Sequence, residues 1–427
     1  MKKSLLISAV VLGLFMSVIL TQSAQAIPAF ARKYRTSCST CHYEFPKLNA
    51  FGKAFLNNGL RYPEGQDPDI RKDNPVSLGS EAYKKVWPDA IWPADIDGLV
   101  PLSVHAVGRF NYAPEAGGDE EEEEEGGVKS TFEFPHELEV LYAGTIGENV
   151  SFMGEIEMEN EDNEIEFGFP FWVQWDFNAN WHVRLGNVSP DPTPDHLRLT
   201  RNHYNVASFR SRNRWRLRDQ QSGIELRGAG NGAGGRGGYT FQVGVVNGQG
   251  INDANSSKDI YARATYKIGG LGEVGGTQGQ GSETSAFYVD NNLRLGGFFY
   301  KGTVSGANPD EDITVFGGDL DLWFNRLIVN GAAMFMKSEI PDMADRNSMA
   351  WYAQANYVIY PWLIPLVRYE YTDADTDADT PDPQTSLIPA LTVVLRANVK
   401  ITAEYFLPLD DAHKDADQLT LQAQFGF

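Results

Sequence analysis

From about residue 99 onward, apolar and polar residues alternate in segments of about ten residues, separated by Gly, Asn and Asp turns. Residues 151–159 are one example, with Phe152, Ile156 and Met158 on one face and glutamates mostly on the other. Alternation over this length is typical of the strands of an outer-membrane barrel. The pattern therefore predicts an all-β transmembrane barrel over residues 99–427.

The segments with the clearest alternation each predict one strand. They are 132–142, 151–159, 239–246, 260–268, 293–300, 315–324, 327–336, 351–357, 399–405 and 419–427. The last ends on Phe427, and a terminal aromatic residue is common in the final strand of exported barrels. A closed bacterial barrel has an even number of strands, so we expect roughly 16 or 18. Two glycine-rich stretches, 228–238 and 269–283, leave that choice open.

Composition favours this barrel over the alternative, a soluble β-sandwich or solenoid. The 427 residues include 18 Tyr, 24 Phe and 9 Trp, and aromatic residues recur near the ends of the predicted strands. Barrels carry such aromatic girdles at both membrane interfaces. After the N-terminal leader, no stretch approaches the ~20 apolar residues of a spanning helix.

Loop length predicts the orientation, because periplasmic turns are short and external loops are long. The predicted periplasmic turns are 178–180, 325–326 and 396–398. The loops expected outside, or folded into the lumen, are 113–131, 189–220 and 372–386.

The chain begins with the features of a secretory signal peptide. Lys2 and Lys3 precede an apolar run, and Ala24-Gln25-Ala26 is a small-residue cleavage site. We predict that residues 1–26 are removed and that the protein reaches the bacterial outer membrane; a membrane-anchoring helix is the alternative.

The only two cysteines, Cys38 and Cys41, are three residues apart, and His42 follows directly. C-x-x-C-H is the attachment pattern of haem c, in which both thiols bond the macrocycle and the histidine is an axial iron ligand. A redox dithiol or a structural disulfide is the alternative. The histidine, the export signal and the lack of a βαβ pattern favour one covalent haem c.

Residues 27–63 are predicted to be a small α-helical cytochrome module that plugs the lumen, and residues 64–98 a connector rich in Pro, Asp and Trp. A helix is expected from Pro46, with an end signal at 57–59. The residues on its apolar face are Leu48, Phe51, Gly52 and Phe55.

The second axial ligand stays open, because residues 27–104 contain no methionine and no histidine other than His42. The iron is five-coordinate or takes a ligand from elsewhere. The lysine candidates are Lys33, Lys47 and Lys53. The candidates outside the module are His105, Met153 and Met158.

The formal net charge is −21, and it becomes −23 without Lys2 and Lys3 of the signal peptide. Nucleic acid is therefore excluded as a partner, since its phosphates would be repelled. Residues 119–125 are an unbroken acidic run, and 373–379 is a second acidic loop. Such runs are solvated loops or, alternatively, a mouth that concentrates hard divalent cations.

A basic stretch follows in the long loop 189–220. Its arginines are Arg201, Arg210, Arg212, Arg214, Arg216 and Arg218. They are predicted to line the lumen, where they would set a preference for anions or bind the haem propionates. Alternatively, they pair with wall carboxylates such as Glu155, Glu157 and Glu159. No pattern supports hydrolase or transferase chemistry.

The N-terminal motifs resemble the fused outer-membrane monohaem cytochrome c–porins of iron-oxidising bacteria. The resemblance is carried by residues 27–32, by Cys38-Ser-Thr-Cys-His42, by 45–55 and by Gly59, although Leu60 stands where the family tends to have Tyr. It implies one haem c on Cys38 and Cys41 with His42 as axial ligand. It also implies one-electron oxidation of extracellular Fe(II), that is, Fe(II) oxidase activity.

We therefore expect electron transfer from Fe(II) or another extracellular donor through the haem to a periplasmic acceptor such as a soluble cytochrome, with lipid around the barrel. A solute porin whose haem module is a plug or sensor is the alternative. A haem peroxidase ranks last, because the module contains no evident distal His–Arg pair.

Overall fold

The structure, a computed structural model, describes residues 28–427 with internal gaps. The gaps are 66, 78, 80, 92–93, 114–129, 162–163, 189–210, 216–220, 249–254, 276–285, 307–308, 379–382 and 411–415. The predicted signal peptide lies outside the described residues. Within the described part of the chain, every helix is too short or too polar to be a membrane-spanning helix.

Residues 102–426 form a closed antiparallel barrel in which consecutive strands pair and the last strand pairs with the first. The strands are β3 (Leu102–Tyr112), β4 (Ser130–Ile146), β5 (Val150–Glu161), β6 (Glu164–Gly168), β7 (Phe171–Asn178), β8 (Trp181–Val188), β9 (Gln221–Asn231), β10 (Arg236–Val246), β11 (Asp259–Leu271), β12 (Asn292–Val304), β13 (Glu311–Phe324), β14 (Leu327–Glu339), β15 (Arg346–Tyr357), β16 (Leu363–Asp373), β17 (Gln384–Arg396), β18 (Val399–Pro408) and β19 (Gln418–Gly426). Both β6 and β7 pair with β5, as one strand interrupted at Phe169 and Pro170. The barrel prediction is confirmed, with 16 strands rather than 18.

Nine of the ten predicted segments lie within a strand of the barrel, and the tenth, 419–427, extends one residue beyond β19. The glycine-rich stretch 228–238 holds the end of β9, a turn and the start of β10. The described part of 269–283 holds the end of β11 and a short bridge. Neither stretch adds a strand within the described residues, which explains why 16 is the correct number.

Strand β13 illustrates how side chains divide between lipid and lumen. Phe316, Leu320 and Phe324 point outward and are exposed, whereas Asp319 and Asp321 point inward and are buried. Successive side chains of a strand point to opposite faces. The barrel is therefore apolar outside and polar inside, as a lipid-embedded barrel requires.

The two ends of the barrel differ in their connections. The three predicted short turns lie together at the end where β3 begins and β19 finishes, called here the turn end; the opposite end is the loop end. Exposed aromatic side chains form a girdle at the turn end. They are Trp175, Phe177, Trp181, Tyr266, Phe324, Tyr357, Tyr360, Trp362, Phe425 and Phe427. The three predicted short turns therefore share one end and the three predicted long loops the other, although the long connection 272–291 between β11 and β12 also joins strands at the turn end. Which end faces the periplasm stays a prediction.

The N-terminal part is built from short elements. They are α1 (Ala29–Tyr34), a 3-10 turn (Cys38–Thr40), β1 (His42–Glu44), β2 (Lys47–Leu48), α2 (Ala50–Asn57), a 3-10 turn (Pro63–Gly65), α3 (Asp67–Ile70) and α4 (Glu81–Val86). The predicted helix exists, but it begins at Ala50 and not at Pro46. Lys47 and Leu48 instead pair with β1, and the Asn49 side chain caps the helix by accepting from Gly52 N.

Residues 28–62, called here the N-terminal segment, occupy the turn end of the lumen. Ala29 N donates to Ser103 Oγ of β3 at 2.8 Å, and Arg61 pairs with Asp176 of β7 at 2.6 Å. The same segment contacts Asp321 of β13 and Lys400 of β18. These strands lie on different sides of the barrel, so the segment spans the lumen as a plug.

Candidate functional site

The cysteines and the histidine lie in one tight turn of the N-terminal segment. Cys41 N donates to Cys38 O at 3.1 Å, and Ser37 Oγ caps the turn by accepting from Ser39 N at 3.3 Å. The two thiols are free and form no disulfide. Both sulfurs and the imidazole are therefore presented from five consecutive residues.

A backbone contact sets the orientation of the His42 ring. Its Nδ1 lies 2.8 Å from Pro46 O, and since a carbonyl oxygen only accepts, Nδ1 carries the proton and donates. The lone pair is then on Nε2, as metal-binding histidines require. Burial lowers the pKa of His42 to about 4, so the ring is neutral at pH 7 and able to bind a metal.

Helix α2 lies directly against the cysteine turn. A Cβ at Gly52 would overlap the Cys41 carbonyl oxygen, so only glycine permits this approach. Asn49 Nδ2 adds hydrogen bonds to Ser39 O and Thr40 O at 3.2 and 3.1 Å. Backbone contacts with the helix cap, and not a disulfide, thus hold the turn in place.

The thiols differ from those of a reactive dithiol. Burial raises the pKa of Cys41 to about 12, with a smaller contribution from neighbouring Cys38, and burial also raises the pKa of Cys38. Redox dithiols depend on a lowered thiol pKa that supplies the thiolate. The environment therefore disfavours the dithiol alternative.

The N-terminal segment that carries the turn also holds an aromatic cluster. Ring centroids lie 5.1 Å apart for Phe30 and Phe55, 5.6 Å for Tyr34 and Tyr62, and 5.0 Å for Phe51 and Tyr62. Barrel residues pack against the same cluster. Two thiols without a disulfide, a neutral imidazole with its Nε2 lone pair and an aromatic cluster in the same segment together fit a covalent haem c.

The structure separates the candidates for the second axial ligand. The three lysines form ion pairs, Lys33 with Asp97, Lys47 with Glu44 and Lys53 with Asp321. Met158 shares the outward face of β5 with exposed Ile156. Met153 packs against the aromatic cluster of the N-terminal segment, and His105 lies on the luminal wall. Only Met153 and His105 therefore combine a suitable ligand atom with a luminal position beside the segment.

A buried carboxylate ties the segment to the barrel two residues after His42. Glu44 pairs with Lys400 of β18 at 2.9 Å and with Lys47 at 3.1 Å, and Thr392 Oγ1 donates to it at 3.2 Å. Burial opposes ionisation, but the two lysines outweigh it and lower the pKa of Glu44 to about 2. Glu44 is therefore ionised and anchors the turn.

The described part of the arginine-rich loop, residues 211–215, folds into the loop end of the lumen. The backbone amides of Arg212 and Asn213 donate to the Glu311 carboxylate at 3.0 and 2.7 Å. Trp215 packs on Tyr300 within an apolar luminal cluster. These residues fold inward, but the described arginine side chains take neither predicted role, since Arg212 Nη2 donates to Ala344 O at 2.8 Å and Arg214 is exposed. Arg201, Arg210, Arg216 and Arg218 lie outside the described residues.

The two acidic loops differ in how far the structure describes them. Residues 119–125 lie outside the described residues. In the second loop, Asp373 and Asp375 accept hydrogen bonds from the amides of Asp375 and Asp377, at 3.1 and 3.3 Å. These carboxylates close a local turn, so their described role is structural.

Sequence reasoning missed a group on the luminal wall. His105 Nδ1 of β3 lies 2.8 Å from Glu139 Oε2 of β4 and 3.6 Å from Glu137 Oε1. The signal was present, since acids alternate along 133–139 and 155–159. Pairing of β4 with β3 could not be read from that alternation alone, so the histidine was not connected to the acids.

Fold and site together define a porin-type barrel with a C-x-x-C-H segment inside its lumen. No protein-family model matches the sequence, and no curated protein matches it. Among solved structures, the chain is similar to the anion-selective porin from Comamonas acidovorans, with a TM-score of 0.51 and 11% identity over 76% of this chain and 98% of the porin.

Two further solved structures are similar at the same level. OmpT of Vibrio cholerae, folded in vitro as a trimer, has a TM-score of 0.50 and 10% identity over 77% of this chain and 99% of OmpT. Salmonella typhi OmpF in complex with daunomycin has a TM-score of 0.50 and 12% identity over 78% of this chain and 98% of OmpF. At these identities the likeness concerns the fold, which is that of outer-membrane porins.

Proposed function

We propose that this protein is an outer-membrane electron-transfer protein of the fused monohaem cytochrome c–porin type. It would reach the outer membrane after cleavage of residues 1–26. It would then take electrons from extracellular Fe(II) to a periplasmic acceptor such as a soluble cytochrome. The observation that carries the proposal is the position of Cys38, Cys41 and His42 inside the lumen. Cys38 and Cys41 would hold one haem c, His42 would be its axial ligand, and the haem would supply the one-electron couple.

The location of the turn supports an electron conduit. The apolar band of a barrel is ~25 Å tall and insulates the two sides of the membrane. A redox group at the turn end of the lumen lies partway along the path, whereas one in the periplasm would face the full barrier. Trp215 and its apolar neighbours occupy the loop end of the lumen. A lumen that holds both this inward-folded loop and the N-terminal segment favours electrons over solutes as the transported species.

The second candidate function is a solute porin whose haem-bearing segment is a plug or sensor. The porin fold favours it, because the similar barrels named above include an anion-selective porin. Swelling of liposomes that contain the purified protein separates the candidates. Rapid passage of sugars or small anions would support the porin, and sealed liposomes would support the conduit.

The direct test mixes the purified ferric protein with Fe(II) in a stopped-flow spectrometer and follows the reduced haem bands. We expect full reduction by Fe(II), and reduction by dithionite as the control. Cys38→Ala/Cys41→Ala should carry no covalent haem in denaturing gels. A wild-type haem that dithionite reduces but Fe(II) does not would overturn Fe(II) as the donor.

A further inference from the structure

A second set of metal-binding side chains lies on the luminal wall, apart from the cysteine turn. His105, Glu137 and Glu139 each offer one ligand atom, and these three atoms lie within 4.8 Å of one another. His105 and Glu139 are each 2% exposed at the side chain, and Glu137 is 13% exposed. The group is therefore built into the wall and is not a chance cluster on a surface loop.

Strand pairing fixes this geometry. His105 of β3 and Glu139 of β4 are direct cross-strand partners, and Glu137 is two residues along the same face. Side chains directly opposite in an antiparallel pair have Cβ atoms about 5 Å apart. Sites on strands are more rigid than sites on loops, which favours selective binding.

The separations suit a single cation. Ligands about 2.0–2.2 Å from one metal lie roughly 3 to 4.3 Å from each other. His105 Nδ1 lies 2.8 Å from Glu139 Oε2, to which it donates a hydrogen bond, and 3.6 Å from Glu137 Oε1. A bound cation would take the place of that proton, with Nδ1 and Oε2 slightly farther apart. One imidazole nitrogen with two carboxylate oxygens suits divalent first-row transition metals.

The surrounding charge favours a cation. On β5, Glu157 pairs with Glu139 across the strands and Glu159 with Glu137. The charges of Glu133, Glu137, Glu159 and Glu404 all act on the guanidinium of Arg109. The described residues thus place four carboxylates around one guanidinium, and a carboxylate-rich wall attracts divalent ions.

One aromatic ring separates this group from the cysteine turn. The Phe45 ring lies 5.4 Å from the His105 ring and 5.2 Å from the His42 ring, edge to face in both cases. A cation held by His105 is therefore close to the proposed axial ligand. This position suits a cation whose electron is to be passed on.

We propose that His105, Glu137 and Glu139 form a binding site for a divalent transition-metal cation on the luminal wall. The proposal that a cation binds here does not depend on the function proposed above. The further proposal, that this site holds the donor Fe(II), does rest on that function.

The test for binding uses the purified, haem-loaded full chain and Mn(II) as the probe. Electron paramagnetic resonance of free Mn(II) should report one bound ion per chain. Glu139→Gln and Glu137→Gln should each weaken binding at least about tenfold. The matched control is Glu225→Gln, which removes a buried luminal carboxylate that Tyr261 and Arg227 already contact, and it should bind as the wild type does.

A histidine signature makes the ligand set specific. Pulsed resonance of bound Mn(II) should show nitrogen-14 modulation in the wild type and lose it in His105→Gln. Heat-modifiable gel mobility checks that each variant keeps its barrel. Absence of a bound ion in the wild type, or equal affinity in folded wild type and Glu139→Gln, would overturn the site.

The same variants separate this site from the proposed function. We expect Glu139→Gln to slow haem reduction by Fe(II) at least about tenfold and to leave reduction by dithionite unchanged. If Mn(II) binds as described but Fe(II) does not reduce the wild-type haem, the electron-transfer proposal fails and the site stands. If Fe(II) reduces the haem rapidly but Mn(II) does not bind, the site fails and the function stands.

Discussion

Buried charge is arranged in opposite ways on two luminal walls, the first built from β4 and β5 and the second from β11 to β13. In the second, called here the paired wall, each cation has its own acid. The pairs are Arg263–Asp319 at 2.8 Å, Lys267–Asp290 at 2.6 Å and Arg294–Glu273 at 2.8 Å. In the first, called here the acidic wall, glutamates face glutamates across the strands. These pairs are Glu137–Glu159 and Glu139–Glu157.

The difference separates a structural use of charge from a functional one. A buried ion pair neutralises itself, and removing one partner leaves an uncompensated charge. Facing carboxylates repel, and such a cost is retained in proteins mainly at functional sites. The acidic wall also lies beside His105 and Phe45, next to the cysteine turn. The carboxylate-rich wall is therefore the one that adjoins the cysteine turn.

The largest expected effect comes from breaking a pair on the paired wall. Arg263→Ala leaves the Asp319 carboxylate buried without the guanidinium that lies 2.8 Å from it in the wild type. We therefore expect a loss of about 3–5 kcal/mol in the free energy of unfolding. Glu137→Gln relieves repulsion on the acidic wall and should change that free energy by less than about 0.5 kcal/mol or raise it. Urea unfolding in detergent micelles, followed by tryptophan fluorescence, measures both. Similar losses in the two variants would contradict the comparison.

The N-terminal segment also contains buried ion pairs, so removing one partner should be costly there as well. Glu44→Ala leaves Lys47 and Lys400 buried as facing cations, so we expect the segment to loosen, at a cost of about 3 kcal/mol, and the barrel to conduct ions. Single-channel recording in a planar bilayer measures the conductance. The control is Lys337→Ala, which breaks an exposed ion pair with Glu339 at the loop end and should cost less than about 1 kcal/mol. An unchanged conductance in folded Glu44→Ala would show that Glu44 does not hold the plug.

A smaller effect is expected from two adjacent glycines of β12. A Cβ at Gly296 would overlap the Asp319 carboxylate and disturb its pair with Arg263, at a cost of about 1–3 kcal/mol. A Cβ at Gly297, which is exposed on the outer face, would meet no atom within 4 Å. Unfolding of Gly296→Ala and Gly297→Ala under the same conditions compares them. Equal stability of the two variants would mean that the pair does not need the space at Gly296.

The smallest effect concerns a charge pair outside the lumen. Burial opposes ionisation of Asp73, but Arg71 at 2.8 Å and the amide of Gly98 outweigh it and hold the pKa below its usual value. Its stabilisation should therefore be complete above the usual aspartate pKa and be lost as the pH falls below it. The difference in melting temperature between wild type and Asp73→Asn should shrink in acid. Exposed Asp69→Asn is the control, and a difference that grows in acid would contradict the assignment.

The sequence by itself determined the features that depend on neighbouring residues. The two-residue period placed Phe316 and Leu320 on lipid and Asp319 in the lumen, because alternation is a property of a single strand. The C-x-x-C-H turn was equally local. The start of α2 was predicted too early, because Pro46 was taken as part of its first turn. In the structure Lys47 and Leu48 pair with β1, so the helix begins only at Ala50.

Only the tertiary structure decided which distant residues meet. His105 and Glu139 are 34 residues apart, and Glu44 and Lys400 are 356 apart. Alternation assigns each of these residues to a face, but strand register and closure of the barrel set the partner across the lumen. The tertiary structure also placed Met153 beside the aromatic cluster of the N-terminal segment. The candidate cation site exists because the register of β3 against β4 brings a histidine of the first barrel strand beside two glutamates of the next.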